Sequence, residues 1–152
     1  MKKLIILLIT FASYYSTIAQ QNFFISTGSG VFMGNEDKLN SFNFEIGYHF
    51  KNEFDISLYS NYNKNFKTND QCFVNGLHLT YNPKKLFFLP IFGFSYYKYT
   101  GIDKSGLNLD IGTDIFISKN DNISFGIKFI SSNDLQNEFS MLSIAPFVYI
   151  KL

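Results

Sequence analysis

The stretch from Ser41 to Lys51, SFNFEIGYHFK, places Phe42, Phe44, Ile46, Tyr48 and Phe50 on one side of an extended chain and Asn43, Glu45, Gly47, His49 and Lys51 on the other. Period two is the signature of a β-strand, whose successive side chains point to opposite faces. The run is long for a soluble strand, which averages about 5–6 residues, and suits a tilted membrane strand of about 9–11. The pattern leaves one choice open. A soluble sheet turns the apolar face to a core, whereas a membrane barrel turns it to lipid and lines its interior with the polar face.

The same alternation recurs along the chain, with turn-type residues between, and predicts eight strands over 23–34, 40–51, 54–63, 72–82, 86–99, 107–118, 123–132 and 140–152. Apolar faces comprise Phe54, Ile56, Leu58 and Tyr62, then Phe73, Leu77, Leu79 and Tyr81, then Leu107, Leu109, Ile111, Ile115 and Ile117, then Ile123, Phe125, Ile127 and Phe129. The opposite faces are polar or small, as in Asp55, Ser57, Tyr59, Asn61 and Asn63 or Asn108, Asp110, Gly112 and Asp114. The connections are expected to alternate, with tight turns at 51–53, 82–85 and 119–122 and longer polar loops at 34–40, 64–71, 100–106 and 133–139. Long strands, a polar face rich in Gly and Ser, an even strand count and alternating connections together fit an outer-membrane barrel with short turns at the periplasmic rim.

The N-terminus agrees with export. Lys2 and Lys3 precede an apolar run from Leu4 to Ala12, and Thr17-Ile18-Ala19 offers small residues for a cut before Gln20. This is the pattern of a secretory leader over 1–19, too short for a spanning helix of about 20 residues, leaving 20–152 as one domain. Without Lys2 and Lys3 the 13 basic residues fall to 11 against 12 acidic ones, so no basic field exists to attract nucleic acid or anionic lipid. Cys72 is the only cysteine, which excludes an internal disulfide and reads as an inert small residue near a strand end.

Strands one and five are less regular. FFISTGSGVFMG puts Ser26, Gly28 and Gly30 on one face together with Phe24 and Phe32. LFFLPIFGFSYYKY is apolar on both faces at its start and carries Pro90, which cannot donate to a ladder and predicts a bulge or irregular pairing. Phe92, Phe94 and Tyr96 are expected to face lipid, and Gly93, Ser95, Tyr97 and Tyr99 the interior.

The chain resembles the small eight-stranded outer-membrane barrels, the group containing the OmpA transmembrane domain and outer-membrane protein X. The resemblance covers 23–152 and rests on the pattern above and on the tail SIAPFVYIKL, which looks like their last strand with Leu142, Ile144, Val148, Ile150 and Leu152 toward lipid. It implies an all-β, antiparallel, up-and-down transmembrane barrel in the cell outer membrane. The surroundings would be outer-membrane lipid and lipopolysaccharide, the barrel-assembly machinery would be a partner during insertion, and the chain would be a monomer. Leu152 departs from the family, whose last residue is usually aromatic.

An eight-stranded barrel is just wide enough for side chains to fill it, so the interior is expected to be a packed polar core without an open pore. Glu45, Asp55, Asp110 and Asp114 should face inward with His49, Lys51, His78, Lys98 or its neighbours, Lys128 and Lys151. Buried charges persist only when paired and hydrogen-bonded, and such near balance is what a filled interior demands. Hairpin counting pairs Lys51 with Asp55 and Ser118 with Ser124, which sets Asp114 opposite Lys128.

His49 and His78 lie on different strands without metal-ligand spacing, so no metal or cofactor is expected. Some eight-stranded outer-membrane barrels are lipid A deacylases whose signature resembles His-x-Ser-Asn with a later acidic residue. Here FISSNDLQNEF supplies Ser132, Asn133 and Glu138 but holds Ile130 at the base position, and without a base the hydroxyl is not activated. No catalytic residue is therefore expected, and Ser131 to Asp134 reads as the start of a loop. The loops NEDKLNS, NKNFKTNDQ and TGIDKSG could meet an outside partner, but they are short, polar and low in aromatics apart from Phe66, so no anchor stands out. A soluble lipocalin-like barrel with the Phe and Ile face inside is the remaining alternative.

Overall fold

The computed structural model describes residues 22–152 except 35–37, 51–52, 84, 101–102, 121 and 137–139. The expected leader lies outside them. Eight strands follow in chain order: β1 (Phe23–Met33), β2 (Lys38–Phe50), β3 (Phe54–Lys64), β4 (Gln71–Tyr81), β5 (Phe88–Tyr99), β6 (Lys104–Ser118), β7 (Ile123–Asp134) and β8 (Ser140–Lys151). Each pairs antiparallel with its sequence neighbours, and β1 pairs with β8 to close the barrel. At about 3.3 Å per residue and a tilt of about 40°, an 11-residue strand rises about 28 Å, enough for the apolar height of an outer membrane.

The alternation sets the two faces as the sequence predicts. Phe44 and Ile46 are each 40% exposed and Leu58 63%, while Asn43, Glu45, Ser57 and Asn61 are buried inside. The apolar side is thus the outer wall, which excludes the soluble lipocalin-like arrangement. Strand five also follows expectation: Phe92, Phe94 and Tyr96 face out, and Gly93, Ser95, Tyr97 and Tyr99 face in. In β1, Phe24, Ser26 and Phe32 face in, so phenylalanines share the interior with polar groups.

Four expectations are corrected. The strands run further into the long loops than predicted, so the connections 34–37, 65–70, 100–103 and 135–139 scarcely exceed 51–53, 82–87 and 119–122, and the alternation in length largely disappears. Pro90 causes no bulge. It stays in register opposite Thr113, and the β4 ladder ends at Thr80↔Ile91, just short of it, so the missing N–H costs no rung there. The irregularity lies instead between Phe116 and Ser118 of β6, where Ser118 pairs with Phe125 rather than Ser124. At the first turn His49, not Lys51, faces Asp55; Lys51 itself is outside the described residues.

The closing seam uses glycine for close approach. A Cβ on Gly30 would lie 2.0 Å from the carbonyl oxygen of Ile144, and one on Gly28 2.2 Å from that of Pro146. The β1–β8 rungs lapse between Gly28↔Phe147 and Val31↔Ile144, beside Pro146, which has no N–H to offer.

Candidate functional site

Three layers fill the interior. At the loop end, Phe32, Leu39, Tyr59, Cys72, Val74, Tyr97, Tyr99, Ile130 and Met141 form one buried cluster that caps the barrel. At the turn end Leu89, Phe116 and Phe147 pack together with Tyr149 beside them. Polar and charged groups occupy the level between. The polar core foreseen from the sequence therefore exists, but as a middle layer between two apolar caps.

The middle layer is built around Lys128 of β7. Its Nζ donates to Glu45 Oε2 of β2 at 2.7 Å and to Asp114 Oδ2 of β6 at 3.1 Å, and it lies 5.7 Å from the centre of the Phe147 ring. The pairing of Asp114 with Lys128 was legible from the sequence; the reach across the barrel to Glu45 was not. Ser57 donates to the other oxygen of Glu45. His78 meets Asp110 Oδ2 through Nε2 at 3.2 Å, stacks on Tyr59 with ring centres 4.5 Å apart and lies 3.9 Å from Glu45. Asparagines complete the layer, with Ser41 donating to Asn61, and Asn108 donating to Ser95. A chamber of about 10 Å³ beside Glu45, Asp55, Thr80 and Asp114 has room for about one water.

A second network stands at the turn-end mouth. His49 Nδ1 and Asp55 Oδ1 are 2.5 Å apart, and Asn82 donates to the other oxygen of Asp55 at 2.7 Å. Lys119 donates to Asn82 Oδ1, Pro83 O and Leu86 O at 2.8, 2.8 and 3.0 Å, tying the 82–87 turn to the 119–122 turn. Burial pulls the Lys119 ammonium below the usual lysine range, against the opposing pull of Asp55 and Glu53. His49, Asn82 and Lys119 line an open vestibule of about 120 Å³ with Tyr149 and Lys151. Sequence reading treated Asn82 and Lys119 as turn residues, because nothing in period two marks a turn side chain that folds back over the mouth.

The other singled-out residues fall as follows. Glu45, Asp55, Asp110, Asp114, His78 and Lys128 face in as expected, whereas Lys98 faces out. Ser132 is 5% exposed and points inward with Ile130, at 1%, on the same face. Neither histidine is hydrogen-bonded to Ser132, since His49 is held by Asp55 and His78 by Asp110; Glu138 lies outside the described residues. Cys72 is fully buried. Among the described residues no cluster of three His, Cys, Asp or Glu side chains is arranged to hold a metal.

No family model and no curated protein matches the chain. Solved structures do. Neisserial surface protein A superposes with a TM-score of 0.69 at 12% identity, over 86% of this chain and 97% of that one. The N-terminal β-barrel domain of Pseudomonas aeruginosa OprF gives 0.60 at 10% identity, over 86% and 97%. A de novo designed transmembrane β-barrel gives 0.53 at 8%, over 85% and 94%. A designed barrel among the matches underlines that such likeness concerns the architecture and no biological role. In architecture, strand number and the sidedness of its wall, the chain has the fold of the small eight-stranded outer-membrane β-barrels.

Proposed function

We propose that the chain is an integral outer-membrane barrel with a structural or surface-interaction role, without catalysis and without an open pore. The observation that carries this reading is the sidedness of the wall. Phenylalanine, leucine and isoleucine cover the outside between two aromatic levels, one containing Phe54 and Tyr81 and the other Tyr62 and Phe73, while the ion-paired groups stay inside. No aqueous exterior would favour that distribution. The loop-end cluster of nine buried residues blocks the interior, so passage of solutes would require its side chains to move. Burial of Ser132 beside Ile130 argues against ester hydrolysis, because a nucleophile needs both a base and access to substrate.

The test is fractionation of the native envelope followed by electrophoresis with and without boiling. The chain is expected in the outer-membrane fraction with a heat-dependent mobility shift. A soluble periplasmic product, or a well-folded sample without the shift, would overturn the reading.

A further inference from the structure

The turn-end vestibule is a blind pocket. Its sides are His49 at the end of β2, Phe116 of β6, Lys119 and Asn120 of the following turn, and Tyr149 and Lys151 of β8. Asn82, Phe116 and Tyr149 line both the vestibule and the small chamber beside Glu45, so these three form the partition between them. The Tyr149 ring is fixed there, stacked on Phe24 at 4.7 Å and edge-on to Phe116 at 5.9 Å. A pocket with one opening, at the rim, admits the end of a chain and not its middle. At about 120 Å³ it has room for about four waters, at about 30 Å³ each, or for one small residue.

The chemistry of the vestibule is one-sided. None of its described lining residues carries a carboxylate, and nearby Asp55 has both oxygens engaged, by His49 and by Asn82. Lys119 and Lys151 supply positive charge and are held differently. Lys119 commits its ammonium to Asn82, Pro83 and Leu86, so it is a fixed charge that binding does not have to order. Lys151 faces inward, opposite Phe24 across the β1–β8 seam, and its ammonium has no hydrogen-bond or ion-pair partner among the described residues. The Tyr149 hydroxyl and the Asn120 side-chain amide have none there either. An ammonium, a phenol and an amide thus offer donors to an acidic group, and the Phe116 and Tyr149 rings offer an apolar wall to whatever is attached to it. A phosphate would find less. The chain has no arginine for a bidentate clamp, and at this mouth the backbone N–H groups of Asn120 and Lys151 are already committed to Ser124 Oγ and Asn122 O.

We infer that the vestibule is a binding site for the carboxylate terminus of a peptide ending in a small apolar residue, with the carboxylate at Lys151 and the Tyr149 hydroxyl and the last side chain against Phe116. The site faces the periplasm on the membrane reading above, but binding itself needs only the folded barrel.

The experiment uses the mature barrel refolded in detergent, its folding verified by the heat-dependent shift, and titrated with acetyl-alanyl-alanine while its amide resonances are followed by NMR. Saturable shifts around Asn120, Ser124 and Lys151 are expected, at the millimolar dissociation constant suited to an open site of this size. Lys151→Gln should weaken binding about fivefold or more, and Tyr149→Phe, which keeps the ring, about threefold. Lys64→Gln, at the loop end, should bind as the unaltered barrel does, and the peptide with its carboxylate converted to an amide should not bind. The L-alanyl and D-alanyl forms separate two sources, a protein terminus and a cell-wall peptide, and saturable binding of either supports the inference. Equal binding of the amide-blocked peptide, displacement by an equal concentration of inorganic phosphate, unchanged affinity in both turn-end variants, or no saturable shift in a well-folded barrel would overturn it. Each of these outcomes leaves the membrane reading standing, since fractionation decides that reading.

Discussion

Replacing Lys128 with Met tests whether the middle layer is held as an ion triad. At 2.7 and 3.1 Å, and with an effective dielectric of about 20, the two contacts represent about 6 and 5 kcal/mol of attraction, most of it offset by the cost of taking three charges out of water. The net worth of the triad is therefore modest, whereas removing its one cation leaves Glu45 and Asp114 facing each other, both buried. That change should cost about 3–5 kcal/mol. Methionine keeps the stem length and the packing against Phe147, so the loss reports charge and not a cavity. The assay is denaturant unfolding of the barrel in lipid vesicles, read as the fraction migrating at the folded position without boiling. Adding Glu45→Gln and Asp114→Asn to Lys128→Met should recover most of the loss, and Asp114→Asn alone with Lys128→Met only part of it, because Glu45 would remain unpaired. A loss under about 1 kcal/mol for Lys128→Met, or strictly additive losses through the series, would refute the triad.

Further outcomes follow from the same geometry. Ile46→Lys, in the middle of the outer wall, should cost about 2–4 kcal/mol and Phe50→Lys, at the turn-end rim, about 0–1 kcal/mol, in the same vesicle titration; equal costs would contradict a bilayer around the belt. Ser132→Ala should leave the lipid A mass profile of expressing cells unchanged, and an acylation change that depends on Ser132 would reinstate the esterase alternative. Cys72 should resist maleimide in the folded barrel and react once it is unfolded; rapid labelling of folded protein would mean that the loop-end cluster is open. Lys119→Met should cost about 1 kcal/mol and loosen the turn end, seen as faster amide exchange at Leu86 and Asn82, because three oxygens lose one donor.

How much of this was legible in the sequence follows from which quantities period two fixes. It fixes faces, so the outward position of Phe44 and the inward position of Glu45 could be read from SFNFEIGYHFK alone, and likewise for the regular strands, whereas β1, with Phe24 and Phe32 on its polar face, and β5, apolar on both faces at its start, carry a weaker signal. It fixes register only through the turns, and there errors arose in two ways. The first hairpin is offset by two residues, putting His49 rather than Lys51 opposite Asp55; an even offset preserves every face, so the mistake leaves no trace in the pattern. In the third hairpin the bulge between Phe116 and Ser118 lies on the turn side of Asp114, so the Asp114–Lys128 pair survives although Ser118 and Ser124 do not meet. What period two cannot fix is the stagger that closes the barrel, and the stagger decides which inward side chains share a level. Lys128 and Glu45 are 83 residues apart on strands that are not neighbours in the sheet, and their 2.7 Å contact exists because closure brings their rungs to one height. The same limit explains why the apolar caps were not separated from the polar layer in advance. Phe32, Tyr97, Ile130 and Met141 each break the polar face of their own strand, and only closure gathers them at one end. A role for this chain must accordingly be sought where closure leaves chemistry exposed, on the outer wall and at the two rims, since the buried charges Glu45, Asp114 and Lys128 are already paired with one another.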